Sequence, residues 1–456
     1  MRVDPEGRRL PIKLDSTSNG EFAPVPLSRA NLEANRLAHE AASVFSGKLS
    51  LGRRKFLTSA CGAASTLLAF NAANAAAGRS GGFFEIAKDA ALDEPLARVQ
   101  TGPAKDEFIF DVQGHFIDTP KGNDKSAEVF VKDVFLDSDT DVMVLSFVPS
   151  MRNAEPVTIQ AADAVRRMVE KLEGTHRLLL HGRVNPNQPG DIETMDELAQ
   201  KWRVSAWKCY TQYGPGGKGF FLSDEVGTRF IEKARKLEVK NIAVHKGLPF
   251  GSRSYEHSQC GDIGVVAKRF PDVNFLIYHS GFVTSVPEQA YTRGRDGIDT
   301  LVSSLISNSI PPGSNVYAEL GSTWRFLMRD PQQAAHALGK LIKHCGEDNV
   351  LWGTDSIWYG SPQDQIQAFR TFQISKELRD RHGYPEITPA LRAKIFGLNA
   401  AKVYGLSADE VKKYTRSDAI AREKIAYQER PEPHFLTYGP KTRRQFLLYR
   451  TENGAW

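Results

Sequence analysis

Five side chains in this sequence are of the types that hold a divalent metal ion: His115, His245, His279, Asp355 and, two residues before the first histidine, Gln113. They stand in the short runs Asp111-Val112-Gln113-Gly114-His115, Val244-His245-Lys246-Gly247, Tyr278-His279-Ser280-Gly281 and Gly353-Thr354-Asp355-Ser356. Imidazole nitrogen and carboxylate oxygen are the usual donors of a catalytic site that leaves one metal position open. A divalent ion there lowers the pKa of a bound water from ~15.7 toward ~7, so hydroxide becomes available near neutrality. One such histidine is commonly a hydrogen-bonded loop residue. Several delivered to one rim make a site. Lys208, in Trp207-Lys208-Cys209-Tyr210, brings a cation to the same series.

The elements that must position these groups read as an α/β alternation. Apolar runs with β-branched and aromatic residues occur at 108–116, 142–149, 177–184, 204–211, 241–247, 274–281, 315–321 and 349–355. Helix-like stretches lie between them, at 159–172, 224–237 and 332–345 among others. Eight such strands fit a (β/α)8 TIM-type barrel, whose catalytic groups gather at the C-terminal strand ends. A doubly wound open sheet is the alternative, but no Gly-x-Gly-x-x-Gly follows any strand, which removes its dinucleotide-binding form. Residues 389–406 read as a C-terminal helix, and 407–456 as an extended arm that lies over the barrel or onto a second copy of the chain.

Composition narrows the class further. With 41% hydrophobic and 25% charged positions among 456 residues, a large buried core is affordable and disorder is excluded. Four cysteines do not build a disulfide scaffold. The net charge of +5 does not indicate a nucleic-acid partner. Ten of the 59 basic and six of the 54 acidic residues precede Ala76, so the remainder of the chain is nearly neutral.

That first segment reads as an export signal. Arg53-Arg54-Lys55-Phe56-Leu57 precedes a charge-free stretch, 58–77, that ends in Ala73-Asn74-Ala75-Ala76-Ala77. A basic region, a mildly apolar region and a small-residue end form a secretory signal. The paired arginines followed by Phe-Leu resemble a twin-arginine signal, read by the twin-arginine export machinery. An uncleaved membrane anchor is the alternative, although the stretch is rich in Ala, Ser and Asn for a span. The expected organisation is leader and signal at 1–77, linker at 78–107, barrel at 108–406 and arm at 407–456, in a periplasmic or secreted protein. Its 52 residues ahead of the arginines are long for a leader.

With these strand-end residues in hand, the sequence resembles the amidohydrolase superfamily, and within it the amidohydrolase-related branch that includes aromatic-acid decarboxylases. The resemblance covers about 108–406 and includes the closing helix Lys394-Ile395-Phe396-Gly397-Leu398-Asn399-Ala400-Ala401-Lys402-Val403-Tyr404, where Asn399 is read as structural. It implies metal ligands at Gln113, His115, His245 and Asp355, with His279 beside them. Asp355 would also be the general acid/base, and His279 would polarise a carbonyl or stabilise an oxyanion. Gln113 departs from the family, which usually has His there; a neutral amide oxygen is a poor donor for zinc and suits a harder ion such as Mn better. One divalent ion, Zn or Mn, is the implied cofactor. Lys208 and Arg253, the latter in the loop 248–262, are the expected contacts to a small-molecule substrate. Glu319 and Arg325 would pair with each other or touch that substrate.

The implied reaction is hydrolysis of an ester, amide or lactone. Non-oxidative decarboxylation of an aromatic or enol acid is the alternative, and a catalytically inactive barrel with a binding role a second one. For the export signal, replacing Arg53 and Arg54 by Lys should hold the precursor in the cytoplasm, and exported protein should begin near Ala76. Cell fractionation and N-terminal sequencing measure both.

Overall fold

The computed structural model describes residues 4, 7–104, 107–116, 127–171, 176–250 and 254–452. All eight apolar runs are parallel strands: β1 (Phe110–Gly114), β2 (Val142–Leu145), β3 (Leu178–Arg183), β4 (Ala206–Tyr210), β5 (Asn241–His245), β6 (Asn274–Tyr278), β7 (Val316–Glu319) and β8 (Val350–Leu351). They pair in chain order. Between β8 and β1, Val112 N donates to Trp352 O at 3.0 Å and Gly114 bridges to Ser356, so the ring is nearly closed. This is the expected TIM-type barrel. Its strands are buried on both faces because helices such as Ile159–Glu170, Glu225–Lys236 and Pro331–Cys345 cover the outside.

The ends of the chain hold the barrel shut. The closing helix is broken into Pro389–Ala393, a wider turn at Lys394–Leu398, and Asn399–Tyr404. Asn399 Nδ2 donates to the carbonyls of Glu347 and Val350, both at 2.9 Å, which pins the start of β8. The arm lies over this same barrel: Arg177 and Asp418 form a fully buried ion pair at 2.7 Å, and Tyr414 and Phe446 are buried. All four cysteines are free and buried.

The segment expected as a leader is folded onto the barrel. Residues 10–22 run through the protein interior, helix Arg29–Lys48 packs on helix Ala60–Ala76, and the latter buries Leu67 and Phe70 in the main core. Residues 78–107 contribute strand Gly82–Phe84, antiparallel to Phe372–Ile374, and helix Glu94–Thr101. Among the described residues no helix is long and apolar enough to cross a membrane. Asn399→Ala removes two buried hydrogen bonds at the edge of β8 and should lower unfolding stability by about 1–3 kcal/mol, measured by denaturant titration.

Candidate active site

The strand ends deliver their side chains to one enclosed place. Gln113, Lys208, His245 and His279 are completely buried, and Asp355 and His115 nearly so. The β4–β5–β6 register sets Tyr210 beside His245 and His245 beside Tyr278, and the His245 and His279 rings lie 4.4 Å apart. Backbone geometry sharpens the convergence. His279, Ser280, Ser322 and Asp355 all adopt left-handed conformations, with φ of 65°, 53°, 51° and 59°. Non-glycine residues take this conformation at a cost that clusters at functional sites, and here each lies just past a strand end where the chain turns into the rim.

Asp355 is the most heavily hydrogen-bonded group in the site. Oδ1 accepts from Gln113 Nε2 at 3.1 Å and lies 3.1 Å from His115 Nε2. Oδ2 accepts from Asn19 Nδ2 at 2.7 Å and from Ser322 Oγ at 2.5 Å, and Ser322 also meets the Tyr359 hydroxyl at 2.6 Å. Burial alone would raise this carboxyl, but the His115 imidazole beside it and the Ser322 hydroxyl hold it well below the usual carboxylate range. It is therefore an ionised base at neutral pH.

The hydrogen-bond partners decide which histidine nitrogens can serve as ligands. His279 Nδ1 lies 2.6 Å from the carbonyl of Gly321, an acceptor, so this nitrogen carries the proton and Nε2 presents a lone pair. Burial pushes the imidazole down to about 4, which keeps it neutral. His279 is thus a ligand-type nitrogen, and the expected oxyanion-stabilising role, which needs a donor, does not fit this tautomer. Burial, with the charge of Lys208, also holds His245 well below its ordinary value, although its ring edge lies beside the Gly247 and Leu248 backbone. By strict hydrogen-bond geometry the His245 ring nitrogens and His279 Nε2 have no partner among the described residues.

Gln113 takes a different part from an oxygen donor. Its amide nitrogen faces Asp355 Oδ1 and, at 3.3 Å, His115 Nε2, while its oxygen is turned toward Gly321. His115 Nδ1 is 3.1 Å from the Ser146 carbonyl, so Nε2 is the acceptor in this contact. Gln113 orients the His115–Asp355 pair by donating to both.

A residue from the far end of the chain completes the arrangement. Glu21 Oε1 stands 3.6 Å from His245 Nδ1, and Glu21, His245 and His279 each place one donor atom within 4.8 Å of the others. Imidazole nitrogens and a carboxylate, all buried, fit a divalent ion. Lys208 Nζ lies over the Tyr278 ring at 3.8 Å from its centroid and has no hydrogen-bond partner among the described residues. Burial pulls it down to about 8 against the carboxylates of Glu21, Glu319 and Asp355. Glu319 accepts from the backbone N–H groups of His279 and Gly321 at 3.0 and 2.5 Å, and burial raises it to about 8. It does not pair with Arg325, whose guanidinium binds Asp15 at 2.6 Å and Asp364 at 3.0 Å. Those two carboxylates lie in its reach because residues 13–15 run beside it. Arg253 lies outside the described residues.

Comparison with known proteins gives the family. The family model described as Amidohydrolase matches residues 110–406. The chain belongs to the amidohydrolase family. This amidohydrolase is similar in structure to 2,6-dihydroxybenzoate decarboxylase from Rhizobium, at 16% identity and a TM-score of 0.40, over 66% of this chain and 99% of that one. It is also similar to 4-oxalomesaconate hydratase from Rhodopseudomonas palustris, at 15% identity and a TM-score of 0.41, over 67% and 98% of the two chains. Dihydroorotase from Saccharomyces cerevisiae is similar at 12% identity and a TM-score of 0.43, over 68% and 86%. No curated protein matches this chain.

Sequence reasoning missed Asn19, Glu21, Ser322 and Tyr359. For the first two a signal existed: a basic signal-peptide region is an odd place for Asp15 and Glu21, and 52 residues are more than a signal needs. For the pair Ser322 and Tyr359 there was none: Ser322 meets Asp355 from the neighbouring strand end, and Tyr359 joins them through the Ser322 hydroxyl. His245→Ala should strip most of the metal from purified protein while circular dichroism shows the barrel intact; elemental analysis measures the first.

Proposed function

We propose that this amidohydrolase is a metal-dependent hydrolase acting on an ester, amide or lactone of a small molecule. One observation carries the reading: an ionised, hydrogen-bonded Asp355 is buried in one cluster with imidazole nitrogens of His245 and His279 that have no partner among the described residues. A divalent ion held there, Zn or Mn, supplies an acidified water and polarises the scissile carbonyl. The chain's own groups do the rest. Asp355, fixed by Asn19, Gln113 and Ser322, accepts the proton of the attacking water and passes it to the leaving group. The aromatic walls of Tyr210, Phe250 and Tyr278 exclude bulk water, which strengthens each charge interaction inside.

The position of Lys208 favours a second reading. A buried ammonium with no acceptor is suited to a substrate carboxylate; an aromatic or enol acid held by it would lose carbon dioxide once Asp355, having first taken the proton of the substrate's hydroxyl or of a water, delivers that proton to the ring carbon. A localisation proposal accompanies both: export by the twin-arginine machinery with the signal left uncleaved, supported by Arg53-Arg54 and the charge-free stretch behind them.

The deciding experiment is a product assay of the metal-loaded protein across esters, amides, lactones and hydroxybenzoates. Hydrolysis that falls about a hundredfold or more in Asp355→Asn is the expected result. Carbon dioxide release from hydroxybenzoates without any hydrolysis would install the second reading in its place. No turnover in either class by a fully loaded protein would remove both.

A further inference from the structure

We propose that Glu21 is a metal ligand of this site, so that the segment ahead of Arg53-Arg54 is a working part of the catalytic centre and not a dispensable leader. The inference rests on the metal-dependent reading above and adds to it a ligand from outside the barrel.

Four observations carry it. First, the site divides into two halves. In one, the Gln113 amide donates to both His115 Nε2 and Asp355 Oδ1 and so stands where a shared cation would otherwise be needed. In the other, His245 and His279 offer nitrogens with no hydrogen-bond partner, and Glu21 is the carboxylate within reach of both. Second, three carboxyl groups, those of Glu21, Glu319 and Asp355, lie buried around the ammonium of Lys208. A dication between Glu21 and the two neutral imidazoles would displace the Glu21 proton and turn that carboxyl into a carboxylate ligand.

Third, Glu21 is held in place by its own segment. Asn19 donates to Glu21 Oε2 at 2.6 Å and to Asp355 Oδ2 at 2.7 Å, tying the two carboxylates together, and the Glu21 N–H returns to Asn19 Oδ1 at 2.9 Å. Gly20 sits at φ +87°, and a Cβ there would come within 2.6 Å of the Tyr449 ring, so only glycine fits the turn. Fourth, the segment is anchored on both sides of this turn. Asp15 binds the buried Arg325, Lys13 pairs with Asp364 at 3.2 Å, and Ser18 N donates to Pro440 O at 2.9 Å in the C-terminal arm. Phe22 then stacks edge-on to Phe326. A passing leader has no need of such fittings.

The test compares metal binding by full-length protein, Glu21→Gln and His245→Ala, using Zn or Mn in competition with a chelator of known affinity, and Co(II) absorption as a probe of the ligand set. Glu21→Gln keeps the shape and the Asn19 contacts but removes the charge. It should bind at least tenfold more weakly than wild type, with an altered Co(II) spectrum and an unchanged apo melting curve. Wild-type affinity and spectrum in Glu21→Gln would overturn the proposal while His245→Ala, if it loses metal, keeps the metal-dependent reading. A wild-type protein that binds none of the three ions would overturn both. Exported, fully loaded protein found to begin at Ala76 would overturn the proposal.

Discussion

The buried Asp355 carboxylate is the constraint around which the closed end of this barrel is organised. Taking an ionised carboxylate out of water costs several kcal/mol even after the surroundings relax, so its oxygens must be met by donors. Three parts of the chain supply them: Asn19 before the barrel, Gln113 on β1, and Ser322 past β7. Each donor ties its own segment to the end of β8. The same carboxylate that can move a proton therefore also joins the first and last strands of the ring, where Gly114 bridges to Ser356.

Charge extends the argument outward. Glu21, Glu319 and Asp355 are all buried near Lys208, and the two carboxyls other than Asp355 are pushed up to about 8 by burial. Such a cluster is unfavourable in an empty barrel and favourable around a cation, because a bound ion reverses the sign of the local potential. The neutral imidazoles point the same way: His279 spends its proton on the Gly321 carbonyl and leaves the other nitrogen bare. The strained backbone at His279, Ser322 and Asp355 belongs to this economy, since side chains from three strand ends can face one point only if the chain turns sharply there.

The N-terminal segment makes the assembly larger than a barrel. Arg325 takes Asp15 and Asp364 instead of Glu319, so a guanidinium just beyond β7 clamps the segment that carries Glu21. The arm closes over it from the other side through Pro440 and Tyr449. Both termini thus converge on the C-terminal rim, and a change in either is expected to be felt at the site.

What the sequence by itself determined was whatever depends on local pattern. Eight apolar runs at regular spacing specify eight buried parallel strands, and ligand-type residues at four of their ends mark the rim, because in a parallel barrel the strand end is where side chains leave the core. Thus His115, His245, His279, Asp355 and Lys208 were legible, as was the structural Asn399. What only the tertiary structure decided has no local period. Glu21 meets His245 across 224 positions of chain, a separation that no spacing rule encodes. The direction of the Gln113 amide and the tautomer of His279 follow from partners brought up by other strands. Residues 10–22 read as a polar leader because their partners, Arg325, Asp364 and Pro440, lie more than 300 residues away, and a polar residue reveals its partner only when the fold has buried both.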